Sequence, residues 1–126
     1  MFKALYVMLC LFNTAVLFAQ VDTAWVGRYN GPGNDYDEAT SLAVDEQGNV
    51  YVTGSSIGSG TSLDYATIKY DSAGVEQWVQ RYNGPANGDD WATSLAVDGQ
   101  GNVYVTGPSI GSGTSLDYAT IKYDSA

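Results

Sequence analysis

Asp45-Glu46-Gln47-Gly48-Asn49-Val50-Tyr51-Val52-Thr53-Gly54 returns 53 residues later as Asp98-Gly99-Gln100-Gly101-Asn102-Val103-Tyr104-Val105-Thr106-Gly107. The first half of the stretch has the chemistry of a turn. An Asp side chain bonds nearby backbone N–H groups, and Gly supplies the backbone freedom that a tight reversal needs. The second half, Val-Tyr-Val-Thr, alternates β-branched and aromatic residues and reads as a strand.

Working outward, the period of 53 holds without gaps. Residues 39–73 fall on residues 92–126 with two differences, Glu46 against Gly99 and Ser55 against Pro108. Upstream, Trp25 falls on Trp78, and Arg28-Tyr29-Asn30-Gly31-Pro32 falls on Arg81-Tyr82-Asn83-Gly84-Pro85. A fixed period of this length marks propellers, solenoids or arrays. Each copy predicts four short strands, at residues 39–45, 50–53, 65–70 and 77–82 in the first. A Gly/Ser loop at 55–62 joins the second strand to the third, and Asp71-Ser72-Ala73-Gly74 turns the third into the fourth. No 10-residue window in the mature chain has convincing helical periodicity. Apolar residues on both faces of a strand suit a blade packed between two neighbours, with Val50 and Val52 facing one and Tyr51 and Thr53 the other. The predicted class is all-β, with four-stranded antiparallel propeller blades in two repeats of an incomplete ring.

The motif Asp-x-x-Gly-Asn-Val-Tyr-Val-Thr-Gly, preceded by Ala-Thr-Ser-Leu-Ala-Val in both copies, resembles the bacterial β-propeller repeat often called the seven-bladed propeller repeat. That resemblance implies an extracellular or cell-surface propeller, commonly without catalysis, with the Asp-x-x-Gly-Asn segment in the turn between adjacent strands. Asp71 to Trp78 also partly resembles the tryptophan-docking motif of quinone-dependent dehydrogenase propellers, in which the Trp locks neighbouring blades. Propellers close with roughly four to eight blades, whereas two repeats are present here. The second copy reaches Ala126 before its fourth strand, and a strand near residues 25–29 supplies an early one of the fourth type. Truncation of a longer protein, with further blades in cis, is the leading expectation, and self-association the second.

The start of the chain has a different character. Lys3 is followed by a mostly apolar run from Ala4 to Phe18, and Ala19 precedes a polar, acidic stretch. A charged start, a short apolar core and a small residue at the cut form the layout of a secretory signal peptide over residues 1–19. The run is short for a bilayer span, which needs about 20 residues, so no membrane insertion is expected after cleavage. Cys10 lies inside the apolar core behind Leu9, the wrong setting for a lipid anchor. Repeat one with its lead-in strand is assigned to residues 20–77, and repeat two to 78–126.

The chain carries five basic and fourteen acidic residues and no His. Removing the leader takes Lys3 and Cys10 with it. Four basic residues then remain (Arg28, Lys69, Arg81, Lys122), and the formal charge moves from −9 to −10. No basic patch exists to release counterions from phosphates, so nucleic acid is not an expected partner. His- and Cys-based metal sites and His-dependent triads are excluded in the mature chain.

The acidic loops are the candidate ligand-binding site: Asp35, Asp37 and Glu38 in copy one, with Asp89, Asp90 and Trp91 in copy two. Carboxylates and loop carbonyls suit a hard cation, and Ca²⁺ is the one cofactor considered. The spacing matches neither the twelve-residue helix-loop-helix site nor the Gly-Gly-x-Gly-x-Asp nonapeptide, and a solvated turn is the simpler account. Asp45 and Asp98 recur identically before Gly and Asn, which favours turn formation over acid/base catalysis. Aromatics at repeat-equivalent positions, such as Tyr51 and Tyr104 or Tyr65 and Tyr118, read as packing between blades. Trp91 is not duplicated and marks the preferred loop for a sugar or peptide. The expected function is a non-catalytic, secreted or cell-surface module that binds protein or glycan or serves a structural role. The alternative is a portion of a propeller enzyme, quinone-dependent or polysaccharide-acting, with its catalytic residues elsewhere.

Overall fold

A computed structural model describes residues 19–125, so the expected leader lies outside the described residues apart from Ala19. Seven strands follow in order: β1 Asp37–Val44, β2 Val50–Ile57, β3 Leu63–Tyr70, β4 Glu76–Tyr82, β5 Ser94–Val97, β6 Val103–Ile110 and β7 Leu116–Tyr123. They form a four-stranded sheet, β1-β2-β3-β4, and a three-stranded sheet, β5-β6-β7. All pairings are antiparallel between chain neighbours. The molecule is all-β, with two successive blades of an open propeller. Among the described residues no helix is long and apolar enough to cross a membrane.

One turn design is used three times. Asp45 accepts from the backbone N–H groups of Gln47 and Asn49 at 3.0 and 2.9 Å, while Gly48 donates to the Asp45 carbonyl at 3.0 Å. Asp98 repeats the pattern with Gln100 and Asn102, and Asp71 with Ala73 and Val75. The glycine of each turn has a positive φ, +80° at Gly48, +83° at Gly74 and +84° at Gly101, where a β-carbon would strain the backbone.

Strand β2 runs past Gly54 to Ile57, beyond the end expected from its sequence. Ser55, Ser56 and Ile57 are small or polar, yet β3 pairs with them opposite Tyr65, Asp64 and Leu63, and β1 pairs with the first two. A central strand with partners on both sides satisfies its backbone whatever the side chains prefer. In the second blade Pro108 takes the place of Ser55 and has no N–H to give. Trp91 still donates to the Pro108 carbonyl at 2.9 Å, but no bond returns, and β5 is only four residues long where β1 has eight.

The core lies between the blades. Tyr51 and Tyr65 of the first sheet are 1% and 0% exposed and meet Val103 and Val105 of the second. Trp78 packs across Tyr51 within its own sheet and across Tyr123 of the next, with ring centroids 6.2 and 6.0 Å apart. The Tyr65 hydroxyl crosses the join to the Gly107 carbonyl at 2.5 Å. Thr40, the extra residue of a bulge in β1, reaches the Ala92 carbonyl at 2.5 Å. Val50 and Val52 lie on the opposite face, with Ala66, Ile68 and Tyr70. The expected split of Val50 and Val52 from Tyr51 is therefore observed.

Residues 25–29, expected as a strand, carry no ladder, since no strand among the described residues bonds with them. They lie across the outer face of the first blade nonetheless.

Candidate functional site

The six loop residues singled out in the sequence fall into distinct roles. Asp37 and Asp90 occupy equivalent positions and staple equivalent glycines: Gly31 donates to Asp37 Oδ2 at 3.0 Å, and Gly84 to Asp90 Oδ2 at 2.6 Å. Asp90 is 0% exposed. In both, the second oxygen is buried without a hydrogen-bond partner. Asp89 accepts from Ser62 and thereby ties the β2–β3 loop of one blade to the loop that enters the next. Asp35 is exposed and accepts from the N–H of Tyr36 at 2.8 Å. Glu38 is exposed at the start of β1, where its carboxylate beside Tyr36 pushes that phenol up. Trp91 is half-buried at the blade join. No group of three or more His, Cys, Asp or Glu side chains converges to hold a metal ion among the described residues.

Asp45 and Asp98 are turn residues. Each also accepts from an Asn amide at 2.8 Å and from a tyrosine hydroxyl, Tyr51 at 3.0 Å and Tyr104 at 3.1 Å. These donors, the Asn102 amide foremost, hold the Asp98 carboxyl down to about 2. At Asp45 burial pulls the other way, and the hydrogen bonds led by Asn49 still lower it.

An apolar concavity lies elsewhere, on the outer face of the first blade. It is a cleft of about 340 Å³ floored by Leu42, Val50, Val52, Ile68 and Tyr70, with Trp25 and Tyr29 along its wall. That size and apolar lining fall in the range of binding clefts. Asp37, Glu38, Ser55 and Ser56 form the polar end. Burial first, then the charge of Glu76, pushes the Tyr70 phenol up, so the floor stays neutral. Leu42 is 60% exposed, although its equivalent in the second blade, Leu95, is packed in the core.

Behind the polar end, Arg81 holds two of the lining residues, Ser56 and Tyr29. It donates to the Ser56 hydroxyl at 2.6 Å, the Ser56 carbonyl at 2.8 Å, Asp64 at 3.0 Å and the Tyr29 hydroxyl at 2.9 Å. Burial opposes its charge, but the bonds to Asp64 and then Tyr29 outweigh this and raise its pKa. Of the sequence candidates only Asp37 and Glu38 line the cleft. The apolar floor escaped notice because its residues are identical in both copies, and repetition alone does not say which copy is left uncovered.

Trp25 sits 5.9 Å from Tyr70 between ring centroids, as Trp78 sits 6.0 Å from Tyr123, and its ring lies against the Gly74 turn. The lead-in segment therefore rests on the first blade much as β4 rests on the second.

No curated protein matches the chain. A family model described as a beta-propeller repeat matches twice, over residues 25–60 and 77–113, together more than half of the sequence. The matches open at Trp25 and at Gln77, just before Trp78, and each runs through the first two strands of the following sheet, so the matched unit straddles the join between blades. With the four- and three-stranded antiparallel sheets packed face to face, this establishes that the chain belongs to the beta-propeller repeat family.

Proposed function

We propose that the chain is a non-catalytic, extracellular propeller module whose role is structural and adhesive: it docks a protein or glycan surface on the open face of its first blade. The observation that carries this reading is the uncovered apolar cleft at Leu42, Val52 and Ile68, on a face whose counterpart in the second blade is core. The apolar leader of residues 1–19 supports export. The alternative, a portion of a propeller enzyme, takes second place. The carboxylates that the fold buries are already engaged through one oxygen each, Asp37 and Asp90 on glycine N–H groups and Asp64 on Arg81.

The test is cell-surface retention of a tagged chain expressed in a secreting bacterium, compared with Leu42→Glu. Leu42 is exposed, so the substitution leaves the blade folded while placing a charge in the cleft, whose desolvation opposes docking. The expected result is a chain outside the cytoplasm, with retention reduced at least about tenfold by Leu42→Glu. Periodate or protease treatment of the surface then separates a glycan from a protein. A cytoplasmic chain, an exported chain that is not retained, or equal retention of both forms overturns the reading.

A further inference from the structure

Beyond docking, and resting on the export of the chain, we propose that the tripeptide Asp-(Ser/Thr)-Ala is a site of covalent O-linked glycosylation. Ser72 and Thr23 are the two independent acceptors, and Ser125 is the repeat copy of Ser72. The substrate is a sugar activated as a polyprenyl diphosphate ester, the membrane-borne class of donor within reach of an exported chain.

The sequence carries the first part of the argument. Wherever an Asp precedes Ser or Thr in this chain, Ala follows: Asp22-Thr23-Ala24, Asp71-Ser72-Ala73 and Asp124-Ser125-Ala126. The last two are repeat copies, but the first is not, since the positions 53 residues after it read Val75-Glu76-Gln77. Duplication therefore accounts for one of the three occurrences and leaves two that arose separately. All three lie downstream of the apolar leader.

The turn at Ser72 has no use for its hydroxyl. Asp71 Oδ1 accepts from the N–H groups of Ala73 and Val75, both at 2.9 Å, Asp71 Oδ2 accepts from the Gln77 amide at 3.0 Å, and Gly74 takes the positive φ. The sister turns at Asp45 and Asp98 make the same backbone bonds with Glu46 and Gly99 at the second position, so folding does not ask for Ser there. Ser72 and Ala73 are exposed, as are Thr23, Ala24 and Ser125. The hydroxyls of Ser56, Thr53 and Thr67, by contrast, belong to buried residues and are bonded to neighbouring side chains.

The place also suits a bulky, hydrated substituent. The turn joins β3 to β4, and β4 is the last strand of its sheet, on the edge opposite β1, which meets β5 of the next blade. A group attached there stands on the outer rim, clear of the join. Unpaired outer edges invite pairing with other chains, and a solubilising cover blocks it. Val75, 57% exposed beside the turn, is apolar surface that the same cover shields. A neutral sugar fits better than a phosphate, because Asp71 and Glu76 already set two carboxylates around the turn and a phosphate would add like charge.

In the transfer, Ser72 Oγ attacks the anomeric carbon of the donor. The C1–Oγ bond forms as the bond from C1 to the diphosphate oxygen breaks, and that electron pair leaves with the diphosphate. The hydroxyl proton passes to a base of the transferase, since both Asp71 oxygens are engaged in the turn.

The test recovers the full chain from its own bacterial host, separates cytoplasmic from exported protein, and reads the peptides by mass spectrometry, alongside Ser72→Ala and Asp71→Asn. Asn forms the same turn, so the second variant separates recognition of the tripeptide from folding, and circular dichroism verifies the fold. Sugar-mass increments are expected on the exported chain at Thr23, Ser72 and Ser125, and not at Ser59 or Ser112, exposed hydroxyls with no preceding Asp. Each variant should lose the increment at residue 72 and keep the one at Thr23. An exported chain without the increment at Ser72 or at Thr23, increments at Ser59 or Ser112 as well, a phosphate at Ser72, or an increment there that survives Asp71→Asn overturns the proposal and leaves the docking reading standing. A chain confined to the cytoplasm overturns the export on which both rest.

Discussion

Asp98 accepts bonds from two backbone N–H groups, an amide and a phenol, and none of them is available to it in an unfolded chain. Its carboxyl is accordingly held at about 2 in the fold against 3.8 unperturbed. A group depressed in this way stabilises the fold fully above its unfolded value, and that contribution is lost as pH falls through the folded one. Asp98→Ala is expected to lower the melting temperature by a few degrees at neutral pH. The gap to the parent should shrink as pH falls from about 4 toward 2. Thermal melts of the two proteins across that range check it, and a gap independent of pH would contradict the role given to the carboxylate. The sequence made this role legible, because an Asp fixed before Gly and Asn in two copies has a turn-forming use that needs no ligand. It did not show the tyrosine hydroxyl as the fourth donor, since Tyr51 and Tyr104 reach back from the following strand.

At the scale of the strands, Gly54 and Gly107 mark the closest approach of two backbones. A β-carbon on Gly54 would run into the carbonyl of Glu38, and one on Gly107 into that of Trp91. Gly99, by contrast, has open space around its missing side chain, and the other copy carries Glu46 there. Gly54→Ala should cost about 1–3 kcal/mol, as other overpacked sites do, and Gly99→Ala no more than about 0.5 kcal/mol. Denaturant titration of the two variants distinguishes them, and similar losses at both would contradict the register of β1 on β2. Strand identity was readable from Val50 to Thr53 and from Tyr65 to Tyr70, where composition and alternation agree. It failed at Ser55 to Ile57, where pairing on both sides overrides weak local preference, and at residues 25–29, whose strand-like sequence has no strand partner among the described residues. Both misses arise from non-local hydrogen bonding, which sequence pattern does not encode.

For the whole molecule, the near-identity of the two copies conceals their difference in environment. Tyr65 is core and Tyr118 is surface, although the eighteen residues from Ser56 to Ala73 recur without change from Ser109 to Ala126. The sequence showed two blades and an incomplete ring. It did not show which copy's apolar face is covered: Tyr51 and Tyr65 of the first sheet are buried against Val103 and Val105 of the second, while Leu42, Val52 and Ile68 line an open cleft. That packing of one blade on the next is the central claim. Amide hydrogen exchange across the join tests it most directly. Slow exchange in β3 and β6 that Tyr65→Ala accelerates in both strands is the predicted result. Exchange in β6 that is indifferent to Tyr65→Ala would contradict it.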